Sequence, residues 1–512
     1  PVTQADRGVE VLPLSASALY SGNPVGGVIN IVLRPDVDVT ELSTTYTNAL
    51  AGYDAPQSSV SLQHGQTLLG GALRLRLSAT YTAATPATEA ELGYIGSHDS
   101  SHPDLDAPVY RATPNVRSAD GSTPLFGAGT STVTSVAPGA NGQGGLAAFA
   151  GRNGLRDFGL FASPGGLVAS TNSRDYPYGR RQQRASYFLS AAYDPTPWLE
   201  LGIDGTYAQT VVHRGYELLT ADLALPAGAP LNPFGTEVQV ALNEYTPRLG
   251  PNYSEARVEF FSVVAGLMLR LPSNWRVAAD GQYAHNTARY RGLGGADPAR
   301  WQALVDQGAY NPLRDTQVFA PPDAFYDRVL IYRGGYGRFV TVGDYDTIDA
   351  ALRVSNRSIN LPTGSGALNV GGDYRRTHLA DYVDERRYLD GSLASTPERW
   401  QGRTLQRFSV FGELQAPLLP AERRPAWLHG LEGDLAVRYI AADTSRETNV
   451  APTFALKVDP AGGLSLRGSV TTSNRVPTPQ MSRLQATPGG TPGVNYASIY
   501  DPVRNERYDV QS

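Results

Sequence analysis

Apolar and polar residues alternate with a period of two along most of this chain, the mark of β-strands with two unlike faces. Between Gly71 and Ala83, Leu73, Leu75, Leu77, Ala79 and Tyr81 fall on one face, and Arg74, Arg76, Ser78 and Thr80 on the other. Between Trp198 and Thr210, Leu199, Leu201, Ile203, Gly205 and Tyr207 oppose Glu200, Asp204 and Thr206. Trp275, Val277, Ala279 and Tyr283 oppose Arg276, Asp280 and Gln282; further on, Leu431, Leu435, Val437 and Tyr439 oppose Glu432, Asp434 and Arg438. The pattern predicts strands over 40–52, 57–66, 70–83, 184–194, 198–210, 257–271, 275–290, 343–357, 365–381, 403–417, 430–443, 449–459 and 463–475, and a fourteenth beginning near Tyr508. These are longer than the ~5–6 residues of an average strand in a soluble protein.

The links between the strands alternate in length. Short links rich in Pro and Gly, such as Asp194-Pro195-Thr196-Pro197 and Leu271-Pro272-Ser273-Asn274, take turns with long ones over roughly 84–183, 211–256, 291–342 and 381–402. Long structureless loops are unusual in compact soluble domains, whereas a membrane barrel joins its strands by short turns at one end and long loops at the other. Arginine and aspartate at alternate strand positions are costly against a dry core but comfortable against a wet lumen, with the apolar face turned to lipid. Many of the apolar faces end in Trp or Tyr, as at a membrane interface.

Composition narrows this further. Apolar residues make up 41% of 512 residues, and no run reaches the ~18 apolar residues of a membrane helix. The best stretch, Phe260 to Leu271, is broken by Ser262 and Arg270. If the chain meets a membrane it does so as a barrel. Cysteine is absent, which excludes disulfides and thiolate metal sites. The net charge is −5, Lys457 is the only lysine, and no basic tract suggests nucleic acid.

Candidate chemistry is sparse. His98, Asp99, His102, Asp104 and Asp106 cluster in the first long loop, but Gly96, Ser100, Ser101 and Pro103 disfavour the helix that would bring two histidines onto one metal. They read as a solvated loop, so neither a metal nor a cofactor is expected. Arg180, Arg181 and Arg184, like Arg386 and Arg387, read as a solvated rim with the capacity to attract anionic headgroups or solutes. Tyr94, Tyr110, Tyr176, Tyr178, Tyr216, Tyr310 and Tyr326 are suited equally to stacking on a ligand or to packing loops together. The glycine-rich run Gly334-Gly335-Tyr336-Gly337 follows no βα pattern. No nucleophile is paired with a base at a recognisable spacing, so no catalytic residue is assigned and an enzyme is not expected.

Residues 1–36 follow a different pattern. Val9-Glu10-Val11-Leu12 is a short strand, Ser15 is placed to cap one helical turn from Ala16 to Tyr20, and Gly26-Gly27 makes a tight bend before Val28-Ile29-Asn30-Ile31-Val32-Leu33. The run from Val9 to Val32, with its Tyr-x-Gly turn followed by Gly-Gly-Val-Ile-Asn-Ile, resembles the end of the plug domain of TonB-dependent outer-membrane receptors. A second stretch, Leu464 to Ser469 followed by Ser473-Asn474-Arg475-Val476-Pro477-Thr478-Pro479, is similar to a strand and loop found well into such barrels.

The resemblance implies an all-β fold: a transmembrane antiparallel barrel of 22 strands in the full family, a size class of known barrels, with an internal plug. On that reading residues 1–36 are the C-terminal end of the plug, with Tyr20, Gly22, Gly26, Gly27 and Asn30 as its structural motif, and 37–512 are a barrel domain incomplete at its C-terminus. Both ends read as truncations, so an open, strongly curved sheet is expected, and the isolated fragment is expected to aggregate. Arg74, Arg76, Glu200, Asp204, Arg276 and Asp280 are expected to face the lumen and hold the plug. The implied function is TonB-driven import of a bulky, scarce solute of siderophore, cobalamin or oligosaccharide type across the bacterial outer membrane. The implied partners are TonB, membrane lipid and that ligand, with the protein a monomer. The alternative is a passive porin; a barrel enzyme and a secreted β-solenoid fit the sequence less well.

Overall fold

The computed structural model describes residues 6–12, 28–33, 38–50, 54–87, 113–154, 180–214, 219–244, 254–316, 318–443, 449–461, 463–472, 496–501 and 506–511. Its dominant feature is one antiparallel meander in which each strand pairs with its neighbours in sequence. The thirteen strands are Thr40–Thr47, Gln57–Leu68, Leu73–Ala84, Arg180–Thr196, Leu199–Arg214, Ser254–Arg270, Trp275–Ala296, Val340–Leu361, Gly364–Leu379, Arg403–Pro417, Gly430–Ala442, Asn449–Ala461 and Leu464–Thr471. The fold is all-β and forms the wall of an antiparallel barrel. Among the described residues the two outermost strands each pair on one side only. The strand Glu506–Gln511 pairs with Tyr496–Asp501 as a separate hairpin instead of adding a fourteenth strand to the wall.

The tightest links, those after Leu68, Thr196, Arg270, Leu361 and Ala461, lie at one end. Leu69–Gly71 and Pro272–Asn274 are tight turns in which Leu69, Gly70, Ser273 and Asn274 take positive φ. Pro272 sits where its fixed φ starts the turn. The opposite ends of several strands reach well beyond the expected limits: the strand predicted over 275–290 runs from Trp275 to Ala296.

The long links differ most from expectation. They are not structureless. Asn115–Ser118, Val133–Ser135, Leu219–Leu225 and Val238–Glu244 form a four-stranded sheet, joined by the helices Pro298–Asp306 and Asp323–Val329. Leu223, Leu225, Val238, Leu242, Trp301 and Val329 are almost fully buried in one apolar cluster built from three separate links. This cap, not the wall, carries the main hydrophobic core of the described chain. In the wall, by contrast, many large apolar side chains, such as Leu189, Ile203 and Leu435, stay exposed on one face.

The two strands Asp6–Leu12 and Val28–Leu33 pair antiparallel as their own sheet, with Glu10 opposite Asn30. Tyr20, Gly22, Gly26 and Gly27 lie outside the described residues, as do the His98 cluster, Tyr94, Tyr110, Tyr176, Tyr178 and Tyr216.

Candidate functional site

Residues directly opposite one another in an antiparallel pair share a face, so the register assigns every wall residue to one of two surfaces. On the outer surface Tyr187 faces Tyr207, Tyr207 faces Phe261, and Tyr374 faces Phe408. Tyr46, Tyr81, Tyr283 and Tyr439 continue this row on neighbouring strands, and all nine rings are exposed. Towards the short turns the row gives way to exposed aliphatic residues: Leu77, Leu189, Ile203, Leu267, Leu352, Val410, Leu435 and Val470. At the turn end stand Tyr193, Trp198 and Trp275. Ile203, which is 51% exposed in the middle of this band, would be poorly placed in water.

The band has the height of a membrane. Tyr207 lies nine positions beyond Trp198. At ~3.3 Å per residue and the ~40° tilt usual in barrels, that gives ~23 Å, against ~25 Å for the apolar belt of outer-membrane barrels. No helix among the described residues is long and apolar enough to cross a membrane.

The inner surface is polar and laced with ion pairs. The register puts Arg74, Arg76, Glu200, Asp204, Arg276 and Asp280 on one face of the sheet, opposite in facing to Leu75, Ile203 and Val277. Arg74 pairs with Asp194 at 2.8 Å, Glu200 with Arg270 at 2.5 Å, and Asp280 with Arg353. The Arg76 guanidinium lies over the Phe188 ring, 5.0 Å from its centroid.

The densest group on this surface is Asp373 with Arg407, Ser409 and Arg438. Arg438 donates to Asp373 and to Ser409 Oγ at 2.6 Å, Ser409 donates to the same carboxylate at 2.6 Å, and Arg407 stands 3.5 Å away. Asp373, Ser409 and Arg438 are buried. The sequence reading singled out Arg438 as polar-facing but not Asp373, Arg407 or Ser409. Their strands carry glycines and Phe411 on the inner face, which blurs the alternation. A cavity of about 610 Å³ beside Asp434, Lys457 and Arg467 continues this surface.

A second polar knot lies inside the cap. Glu244, with no exposed surface, accepts hydrogen bonds from Tyr310 Oη and, at 2.7 Å, from Arg314 Nη2. Arg314 also donates to the Phe319 and Asn311 carbonyls at 2.8 and 2.6 Å. Burial and then the Glu244 carboxylate hold the Tyr310 phenol well above its ordinary pKa, so it stays protonated and donates. Burial works against the charge on Arg314, but Tyr310 and Glu244 outweigh it and raise its pKa. Tyr310 stacks on Phe325, and Tyr326 is buried beside it. These two tyrosines therefore pack loops together. Among the described residues no group of three or more His, Asp or Glu side chains is arranged to hold a metal ion.

No family model matches the chain, and no curated protein matches it. Solved structures do. The ferric enterobactin receptor PfeA of Pseudomonas aeruginosa is 13% identical, with a TM-score of 0.47 over 92% of this chain and 50% of its own. The siderophore receptor PirA of Acinetobacter baumannii is 11% identical, with a TM-score of 0.49 over 93% of this chain and 48% of its own. The outer membrane transporter YddB of Escherichia coli is 8% identical, with a TM-score of 0.46 over 89% and 46%. The chain thus spans about half the length of the solved structures it matches.

Proposed function

We propose that this chain belongs to a TonB-dependent outer-membrane receptor, supplying the end of its plug, residues 1–36, and much of its barrel wall, residues 37–512. The observation that carries the reading is the exposed apolar band bounded by two aromatic rows, set against an inner face of paired charges. A surface of that kind is stable only where hydrocarbon replaces water on one side and a polar interior replaces it on the other. Coupling to TonB rests on the plug-like motif around Tyr20, Gly22, Gly26, Gly27 and Asn30.

In this reading Arg74, Arg76, Glu200, Asp204, Arg276 and Asp280 line the lumen and hold the plug by hydrogen bonds and ion pairs. The structured cap stands at the external mouth and captures a bulky, scarce solute of siderophore, cobalamin or oligosaccharide type. The protein acts as a monomer in the outer membrane.

The test is solute uptake by cells carrying the complete protein, with and without TonB. A ferric siderophore, cobalamin and a maltooligosaccharide serve as probes. Accumulation of one probe above its external concentration, lost when TonB is deleted, is the expected result. Downhill flux that is indifferent to TonB would establish the passive pore instead.

A further inference from the structure

At the ends remote from the short turns, two neighbouring wall strands bring three arginines together on the face that carries Arg74 and Glu200. Arg180 stands directly opposite Arg214, and Arg184, opposite Thr210, lies four positions from Arg180 on the same strand. Arg181 faces the other way, opposite His213. Thr82 flanks Arg184 and Ser254 flanks Arg214, so the neighbours on the arginines' face are polar but uncharged. The nearby carboxylates Glu255 and Glu259 belong to the opposite face, where Arg257, Arg291 and Arg289 engage them. On the strands Leu73–Ala84, Arg180–Thr196, Leu199–Arg214 and Ser254–Arg270, the nearest carboxylate sharing the arginines' face is Asp204, six positions from Thr210. That is ~20 Å along the strand at ~3.3 Å per residue. Arg180, Arg184 and Arg214 are all exposed, and none meets a carboxylate among the described residues. Like charges placed directly opposite destabilise a sheet. The chain as a whole carries 48 Asp and Glu against 43 Lys and Arg, so this set is not the product of a basic composition.

The spread of the set bounds what it fits. Arg180 and Arg184 are ~13 Å apart along the strand at ~3.3 Å per residue, wider than a single phosphate or carboxylate. Nearer the short turns, Arg74, Glu200 and Asp280 are each already paired, with Asp194, Arg270 and Arg353, and offer an arriving anion no spare charge. We infer that Arg180, Arg184 and Arg214 form a capture site that makes the solute a bulky anion, with carboxylate, phosphate or catecholate oxygens spread over its surface. Guanidinium forks match such oxygens in geometry as well as charge. Charge of one sign at the mouth of a cleft also raises the local concentration of the opposite sign. The inference rests on the reading of this face as the lumen of a transport barrel, and it narrows the solute of that reading to the anionic classes.

The test is calorimetric binding to the complete purified protein at fixed salt. A triply anionic ferric tricatecholate and ferric citrate are set against cobalamin, a maltooligosaccharide and an uncharged ferric trihydroxamate. An anionic probe is expected to bind and the uncharged ones are not. R184Q is expected to weaken that binding about tenfold, the effect of one lost hydrogen bond to a charged group, and R180Q/R184Q/R214Q by about a hundredfold or more. R180K/R184K/R214K keeps the charge and is expected to recover most of it. R423Q, in a turn at the opposite end, is expected to behave as wild type. Tight binding of an uncharged probe, no binding of either anionic probe, or equal affinity in wild type and the triple glutamine variant would each overturn the site. Solute uptake indifferent to TonB, alongside anion binding that depends on these arginines, would refute the energy coupling and leave this site standing.

Discussion

Glu244, Arg314 and Tyr310 show how much rests on single side chains in the cap. An ionised carboxylate without exposed surface is tolerable only with donors around it. Arg314→Met is expected to destabilise the cap by about 3–5 kcal/mol, the cost of leaving a buried charge without its partner, and Tyr310→Phe by about 1.5–3 kcal/mol for one lost hydrogen bond to a charged group. Chemical denaturation followed by tryptophan fluorescence reads both, because Trp301 packs against Tyr310. Asp297 adds a pH dependence. Its side chain caps the helix Pro298–Asp306 by accepting from the amides of Ala299 and Arg300, and it also accepts from Tyr388. Burial pushes its pKa up, but the hydrogen bonds from Tyr388, Arg300 and Ala299 outweigh it, and the net shift is downward from 3.8. The ionised cap therefore stabilises fully above that ordinary value, and its contribution is lost as pH falls through the lowered one. Acid titration of the cap by hydrogen exchange should show this loss, and Asp297→Asn should flatten it.

At the scale of the strand, alternation makes neighbouring positions inequivalent. Leu189 is exposed on the outer face, and Ser190 beside it belongs to the inner face. Leu189→Arg is expected to cost about 2–4 kcal/mol for folding in lipid, while Ser190→Arg costs little. Refolding into phospholipid vesicles at graded urea measures the difference, and equal costs would refute the assignment of faces. Such edges matter in the cap too. Leu219–Leu225 ends its small sheet, and the Gln302 side chain completes it, accepting from the Ala224 amide at 2.9 Å and donating to the Ala224 carbonyl at 2.8 Å. Gln302→Ala should loosen that strand first, visible as faster exchange of the Ala224 amide.

Across the whole molecule, the described chain has two differently built halves. The wall is held by a ladder of backbone hydrogen bonds and leaves an apolar band exposed on one face. The cap is an ordinary globular core assembled from segments far apart in sequence: Val116, Leu242 and Trp301 share one cluster. Segments that share a core open together. Replacing residues 226–237 by a short Gly/Ser linker is therefore expected to remove exchange protection from 113–154 and 293–332 at once, and to leave the wall strands protected. Protection lost only next to the replacement would mean that the links are independent loops.

The wall was readable from the chain alone because its information is local. A period of two sets which residues share a face, and Pro, Gly and Asn mark the turns, so all thirteen wall strands follow from neighbours in sequence. The cap was not readable. The run Val238-Gln239-Val240-Ala241-Leu242 alternates too, but it is short and embedded in turn-forming sequence, and nothing local says that it pairs with Asn115–Ser118. The partnerships of Glu244 with Arg314, 70 positions apart, and of Asp373 with Arg438, 65 positions apart, are likewise products of assembly. Alternation decides which way a side chain points; only the closing of long links decides which charges meet.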